Sequence, residues 1–348
     1  MNPYVLSMLI SSLGLGTTLA FISSHWLLAW MGLEINTLAI MPLMAQQHHP
    51  RAVEATTKYF LTQATAAALI LFATMTNAWL TGEWNIDHLS HPTAVALATI
   101  ALALKIGLAP LHFWLPEVLQ GLTLTTGLIL STWQKLAPMA LIIQMAPNTN
   151  QLILTTLGIL STLIGGWGGL NQTQLRKILA YSSIAHLGWM IIIMQFAPHL
   201  TILTLTIYIL MTATAFMVFN TSSATKTSTL TLKWTKNPTL LAMTALSLLS
   251  LGGLPPLTGF MPKWLILQEL TKQGLPLTAT IMAMSALLSL FFYLRLCYAM
   301  VLTIAPNTNN AQTPWRLQNL SPTLPLSTFM MLTTLMLPIT PTILALTL

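Results

Sequence analysis

Along most of the chain, apolar residues run for about twenty positions at a time, divided by short polar or proline-containing connections. A helix rises about 1.5 Å per residue, so a stretch of about 20 apolar residues suits a bilayer crossing. Windows such as 123-143, 150-170, 278-303 and 323-345 reach that length without help from their neighbours. The pattern predicts eleven spans, at about 3-21, 25-44, 56-78, 93-110, 123-143, 150-170, 174-195, 200-222, 239-271, 277-302 and 323-345. Threonine recurs inside them, and lipid tolerates it because its hydroxyl bonds back to its own helix. The fold class expected is an all-α polytopic membrane protein.

Two windows do not fit a simple helix. The ninth is too long and contains Leu251-Gly252-Gly253-Leu254-Pro255-Pro256-Leu257-Thr258-Gly259. Proline lacks a backbone donor and clashes with the preceding turn, so a break at membrane depth is predicted. The fourth is interrupted at Gly107-Leu108-Ala109-Pro110, with Pro116 following, and residues 111-122 are expected to form a short second half-helix. A broken helix with a lysine close by therefore occurs twice, near Lys105 and near Lys263. Paired halves of this kind are common in transporters.

Composition narrows the class further. Lys, Arg, Asp and Glu make up 5% of 348 residues, against about 25% in soluble domains, and mean hydropathy is +0.74. The net charge of +7 is scattered, so nucleic acid is excluded as a partner. Cys297 is the single cysteine, which excludes an intrachain disulfide framework and a cysteine-ligated iron-sulfur cluster. No Walker loop, dinucleotide fingerprint or helical metal spacing is present. Gly165-Gly166-Trp167-Gly168-Gly169 ends an apolar run and reads as close helix packing. The first apolar segment begins almost at Met1 and is followed at once by a second, so it is expected to be a span and not a cleaved leader.

Charges outside the spans set an orientation. Arg51, Lys58, Arg176, Lys177, Lys226, Lys233, Lys236 and Arg316 fall on one side, with Glu54 and Glu117. Glu83, Asp87 and Lys272 fall on the other. The positive-inside rule then puts the N-terminus on the matrix-like side and the C-terminus opposite. Trp26, Trp30, Trp79 and Trp84 read as an interfacial belt, with His48 and His49 in a loop or at an interface. Arg295, with Tyr293 and Tyr298, reads as an anchor to lipid headgroups or another subunit.

The charges inside the spans carry the functional argument. A charge in hydrocarbon costs several kcal/mol, on the order of +2.5 to +3.5 at a helix centre, unless it is paired, hydrated or neutralised. Glu34 lies mid-span in Trp30-Met31-Gly32-Leu33-Glu34-Ile35-Asn36, with no partner on its own helix. Lys105 on a neighbouring helix is its natural partner, which would couple their titrations. The competing reading is a protonated, hydrogen-bonded carboxyl. Lys105 precedes the first break, where exposed carbonyls admit water. Its competing reading is a lysine that snorkels to the interface. Lys135, in Ser131-Thr132-Trp133-Gln134-Lys135, is a second buried site, and Pro138 can loosen the ladder beside it. Lys263 follows Pro255, Pro256, Gly259 and Pro262, and reads as a mid-membrane proton site or a residue just past a re-entrant turn. His112 beside the first break, and His186 in Tyr181-Ser182-Ser183-Ile184-Ala185-His186, are relay candidates or neutral core histidines.

The same segments carry a resemblance. Met1-Asn2-Pro3, the stretch around Glu34, Lys105-Ile106-Gly107-Leu108-Ala109-Pro110-Leu111-His112-Phe113-Trp114-Leu115-Pro116-Glu117-Val118, Trp133-Gln134-Lys135-Leu136-Ala137-Pro138, Arg176 to His186, and Gly252 to Trp264 follow in one order over residues 1 to about 300. Together they resemble the antiporter-like membrane subunits of respiratory complex I, a family shared with multisubunit cation/proton antiporters. The resemblance implies antiporter-like inverted repeats, with the first three family helices absent. It implies a transmembrane core at 1-302, then an extramembrane loop and a C-terminal helix at 303-348. It implies a subunit of the proton-translocating NADH:ubiquinone reductase of the mitochondrial inner membrane. Glu34, Lys105, Lys135 and Lys263 would carry protons, with His112 and His186 between them. No cofactor would be bound by this chain, while NADH, FMN, iron-sulfur clusters and ubiquinone would be handled by other subunits. The implied partners are other membrane-arm core and accessory subunits and phospholipids including cardiolipin. The rival readings are a free-standing cation/proton antiporter subunit, a structural spacer, and a quinone-binding subunit.

Overall fold

The structure, a computed structural model, describes residues 2–46, 49–232, 238–302 and 324–347. His48, Lys233, Lys236, Arg316 and the 303-322 loop lie outside the described residues. The chain divides into two compact units, Met1–Ser161 and Thr162–Leu348.

The first unit contains α1 (Pro3–Ile22), α2 (Trp26–Met44), α3 (Pro50–Thr81), α4 (Pro92–Ile106), α5 (Trp114–Gly121), α6 (Leu124–Ser131), α7 (Trp133–Met145) and the start of α8 (Gln151–Gly169). Proline opens α1, α3 and α4, where its missing N–H is not needed. The first two helices cross at glycines: a Cβ on Gly32 would lie 2.8 Å from the Gly16 carbonyl oxygen. Close backbone approach through small residues is how helices gain contact in lipid. At one end, the loops holding His25 and Asn85 pair through an isolated bridge, with Trp26 N–H on the Trp84 carbonyl at 3.1 Å and Ile86 N–H on that of Ser24 at 2.9 Å.

The second unit holds the rest of α8, then α9 (Leu175–Ile193), α10 (Pro198–Thr221), α11 (Thr227–Thr231), α12 (Pro238–Gly252), α13 (Phe260–Lys272), α14 (Pro276–Leu302), α15 (Leu324–Leu335) and α16 (Thr340–Thr347). Gly165-Gly166-Trp167-Gly168-Gly169 packs as its composition suggests. A Cβ on Gly165 would lie 2.7 Å from the Ala185 amide nitrogen, and one on Gly166 would lie 2.8 Å from Leu288 Cβ. Buried hydroxyls bond back to their own helices. On α12, Thr244 donates to Leu241 O (2.7 Å), Ser247 to Thr244 O (2.9 Å) and Ser250 to Ser247 O (2.7 Å).

All the regular elements among the described residues are helices, and every predicted span is occupied by one or more of them. Among the described residues, seven helices are long and apolar enough to cross a membrane alone, and the bent pair at 324–343 makes eight. The other three predicted spans differ for physical reasons. Windows 93-110 and 239-271 contain the two breaks, which leave 15-residue helices before them. Window 174-195 is long enough but carries Arg176, Lys177 and His186. Window 123-143 is interrupted at Thr132, whose hydroxyl turns back to the Leu128 carbonyl at 2.7 Å.

Several surface expectations change. Trp26 is buried, and Trp30 donates its indole N–H to the Ala67 carbonyl at 3.1 Å, so neither belongs to an interfacial belt. Trp79 is exposed, and Trp84 stacks on His25. Arg295 donates from both guanidinium nitrogens to the Leu170 and Gln172 carbonyls, capping the end of α8 from α14 in place of an outward anchor. Tyr293 is buried, whereas Tyr298 is exposed. Lys58, read as a loop charge, sits in α3 and bonds both Glu54 and Glu117 at 2.7 Å.

Gly165→Ala should destabilise the protein by about 1–3 kcal/mol, because its new methyl meets backbone that cannot move away. The melting temperature of the assembled protein checks this, with Gly14→Ala as the control, since a Cβ there meets nothing within 4 Å.

Candidate functional site

In the first unit, the site is built where α4 stops. Gly107 adopts φ +85°, and the Leu108 N–H reaches back to the Ala103 carbonyl at 2.9 Å, closing the helix with a left-handed turn. A helix end leaves carbonyls without intrahelical donors, and hydrocarbon offers none. Side chains supply them: Trp114 Nε1 donates to Leu104 O at 3.1 Å, and Gln63 Nε2 to Lys105 O at 3.4 Å. The half-helix foreseen at 111-122 forms as α5.

Lys105 occupies the last turn of α4 and is 6% exposed, which removes the snorkelling reading. Its Nζ is buried with no hydrogen-bond partner, as is Oε2 of Glu34 on α2. Glu34 lies within electrostatic reach of Lys105 and of Tyr59, but no carboxylate oxygen comes within the 4.0 Å of an ion pair. The pairing between neighbouring helices expected from the sequence takes the form of an electrostatic interaction without an ion-pair contact. Lys135, 3% exposed, stands in the first turn of α7, and Pro138 follows within that helix.

Lys105 and Lys135 line one cavity. Its wall also includes Asn36, Tyr59, Gln63 and Gln134, and it offers about 20 Å³ to water centres. Roughly 10–15 Å³ suffices for one water molecule. Gln134 Nε2 donates to the Asn36 carbonyl at 3.3 Å, while Asn36 Oδ1 is buried without a hydrogen-bond partner. Two buried lysines thus share one small chamber inside an apolar helix bundle. His112 is buried beside the break, with Nδ1 3.3 Å from Pro110 O and its ring 4.4 Å from that of Phe113.

In the second unit, α12 stops in the same manner. Gly253 has φ +80°, and the Leu254 N–H reaches the Leu249 carbonyl at 3.3 Å. Lys263, 9% exposed, reaches back from the first turn of α13 and donates from Nζ to the Gly252 carbonyl at 2.7 Å. His186 lies on α9, its ring 5.7 Å from that of Tyr208.

The breaks align residue for residue. Gly107-Leu108-Ala109-Pro110-Leu111-His112-Phe113-Trp114-Leu115-Pro116-Glu117 matches Gly253-Leu254-Pro255-Pro256-Leu257-Thr258-Gly259-Phe260-Met261-Pro262-Lys263. In this register Lys263 corresponds to Glu117, and Lys105 to Leu251. The lysines are not equivalent in sequence, yet each is associated with the C-terminal end of the helix before its break. Among the described residues, no group of three or more His, Cys, Asp or Glu could hold a metal ion.

Residues 23–291 match the family described as NADH:quinone oxidoreductase/Mrp antiporter, TM, which makes this a membrane subunit of the antiporter-like class. Residues 290–344 match NADH dehydrogenase subunit 2 C-terminus. The chain is 74% identical over 346 residues to NADH-ubiquinone oxidoreductase chain 2 of Formosania lacustris, covering 99% of both chains. It is 72% identical over 347 residues to that of Carassius auratus, covering 100% of both. Its fold resembles a chain of respiratory complex I from Thermus thermophilus with bound aureothin, at TM-score 0.87 and 27% identity, covering 99% of this chain and 80% of that one. A chain of the Mrp complex from Dietzia sp. DQ12-45-1b shares the fold at TM-score 0.77 and 18% identity, over 86% of this chain and 61% of that one. The chain belongs to the NADH-ubiquinone oxidoreductase chain 2 family, the complex I branch of the antiporter-like membrane subunits. It is a multi-pass protein of the mitochondrial inner membrane.

Sequence reasoning missed the polar side chains that complete the first chamber: Gln63, Tyr59 and Gln134. A signal existed for Gln63, an uncharged polar residue in an apolar stretch of α3. Gln134 adjoins Lys135 but was read only as a neighbour.

Gly253→Ala should displace Lys263. The new Cβ would lie 2.9 Å from Lys263 Nζ at a left-handed backbone position, a strain of about 1–3 kcal/mol. A lower melting temperature is expected than for Gly252→Ala, whose Cβ makes ordinary contacts starting at 3.5 Å. Equal melting temperatures would refute this account of the break.

Proposed function

We propose that this chain is a core membrane-arm subunit of respiratory complex I that couples NADH:ubiquinone electron transfer, performed in other subunits, to proton translocation. The proton-holding groups are Glu34, Lys105 and Lys135 in the first unit and Lys263 in the second, with His112 and His186 as relays. The observation that carries this reading is the chamber lined by both Lys105 and Lys135, with Glu34 within electrostatic reach of Lys105. A structural spacer has no use for two buried lysines, because well-packed apolar residues would be at least as stable there.

Unit charges a few ångströms apart interact by about 4 kcal/mol at an effective dielectric near 20. A change of charge at Glu34 therefore alters how tightly Lys105 holds its proton. Lys105 can pass that change to Lys135 through water in the shared chamber. This is a coupling of proton affinities and needs no large movement of helices.

The positive loop charges support an N-terminus in the matrix and a C-terminus in the intermembrane space. The chain is read as a core at 1-302 followed by a C-terminal segment at 303-348, and the two family matches likewise divide it toward its C-terminal end, at residues 290–291. Membrane-arm core and accessory subunits are the partners, with phospholipids such as cardiolipin at the surface.

Lys105→Ala should lower the proton-to-electron ratio of the assembled complex while leaving its assembly near normal, because the surrounding helix can still pack. Glu34→Gln, which keeps the size but not the charge, should act in the same direction. An unchanged ratio at normal turnover in both variants would sink the proton-path assignment. Lys263→Arg should also reduce translocation, since arginine does not release its proton at physiological pH; full pumping in that variant would rule out deprotonation at Lys263.

A further inference from the structure

Two interrupted helices meet in the second unit. One is the break between α12 and α13, whose loop carries Thr258. The other lies between Leu324–Leu335 and Leu337–Ile343, which are bent by 66°. Pro338 cannot continue the ladder of α15, so the last carbonyls of that helix need donors from elsewhere. The Met336 N–H still reaches Leu332 O at 3.3 Å. The next carbonyl, that of Thr333, accepts from Thr258 Oγ1 at 2.5 Å. Both threonines are buried. Thr333 and Thr334 turn their own hydroxyls back to Met330 O, at 2.9 and 3.1 Å, whereas Thr258 gives its proton to another helix 75 residues away.

The backbone around Thr258 is tied to the lysine cap. A Cβ on Gly259 would lie 1.7 Å from Ser250 O and 3.1 Å from Met211 Sδ of α10, so the loop is pressed against the last turn of α12. The Thr258 carbonyl accepts from the Met261 N–H at 3.3 Å, in the first turn of α13. Lys263 stands in that same turn and donates to Gly252 O at 2.7 Å. One residue therefore touches both elements: its carbonyl opens the helix that carries Lys263, and its hydroxyl reaches α15. The aligned position in the first break holds His112, so this hydroxyl is not part of the turn geometry that both breaks share. The family match over 23–291 contains the break, and the match over 290–344 contains Thr333, so the bond joins the antiporter-like core to the C-terminal segment.

We infer that Thr258 is a positioning residue: its bond to the Thr333 carbonyl braces the start of α13 against the bent C-terminal helix and holds Lys263 on the Gly252 carbonyl. Thr258 carries no proton itself. A buried hydrogen bond between two helix interruptions fixes both ends at once, because losing it leaves a carbonyl without a donor in each direction of repacking. The C-terminal segment thereby acts on the second break and not only as packing at its edge. The inference rests on the reading above in which Lys263 holds a translocated proton.

The test uses the assembled complex in sealed vesicles, with proton-to-electron ratio and amount of assembled complex measured together. Lys263→Ala defines the drop in ratio that follows from loss of this lysine. Thr258→Val keeps the shape but not the hydroxyl; it is expected to assemble normally and to reproduce at least half of that drop. Thr258→Ser restores the hydroxyl and is expected to recover the wild-type ratio. Thr334→Val removes a hydroxyl that bonds only its own helix in the same turn of α15, and is expected to leave the ratio unchanged. A Thr258→Val complex that is less abundant but pumps at the normal ratio shows a structural contact alone and overturns the positioning role. So does a drop in Thr258→Ser or in Thr334→Val equal to that in Thr258→Val, since the Thr258 hydroxyl would then not be the cause. A normal ratio in Thr258→Val with Lys263→Ala impaired overturns this inference and leaves the proposed function standing; a normal ratio in Lys263→Ala overturns the role of Lys263 and the inference with it. Should Thr258→Val fail to assemble, Thr258→Ala decides in its place, because it removes the hydroxyl without setting a methyl against the Thr333 carbonyl; a normal ratio there overturns the inference.

Discussion

The negative end of a helix stopped inside hydrocarbon is the feature on which both halves of this protein depend. The carbonyls of a terminal turn carry partial negative charge and have no intrahelical donors. In water they would be solvated, but in a bilayer the protein must supply partners itself. At the end of α4, Trp114 and Gln63 donate to two of the carbonyls, and Lys105 lies in that same turn. At the end of α12, the Lys263 ammonium is the donor. A cation is favoured at such an end, so the same backbone geometry that breaks the helix also gives a lysine a reason to be buried.

The alignment of the two breaks sharpens this. Identical glycine, leucine and proline positions build two similar turns, while the charged residues differ in register. One half carries its lysine before the turn; the other carries it ten residues after the left-handed glycine. Lys105 thus belongs to its helix end through its backbone, whereas Lys263 reaches its helix end with its amine. The acidic residue that corresponds to Lys263 in the first half, Glu117, is half-exposed and bonded to Lys58. The exchange of an acid for a lysine at one aligned position separates an exposed ion pair from a buried cap.

Much of this was legible in the sequence. Apolar run length gave the helices, and proline with glycine located both breaks, because these residues act through local backbone geometry. The buried charges could be singled out for the same reason that they are rare. What sequence could not supply was which side chains meet across helices. Glu34 and Lys105 lie within electrostatic reach of each other without forming an ion pair, a distinction that leaves no trace in either helix. Arg295 and Trp26 were misplaced because a cation or an indole near an apolar segment has the same local pattern whether it faces lipid headgroups or caps a buried carbonyl. Tyr293 looked interfacial for a similar reason, although its helix turns it inward.

The back-bonded hydroxyls of α12 have an effect of their own. Thr244, Ser247 and Ser250 recur every three residues, are buried, and have each given their proton to a carbonyl one turn earlier. Ser247 and Ser250 thereby present oxygen lone pairs to their surroundings, while the Thr244 hydroxyl also lies 3.4 Å from the Met300 sulfur. The row ends two residues before the carbonyl that accepts from Lys263, so partial negative charge lies along α12 up to the point where the lysine is held. The helix thereby favours a cation at its end through dipoles alone, without placing a single formal charge along the way.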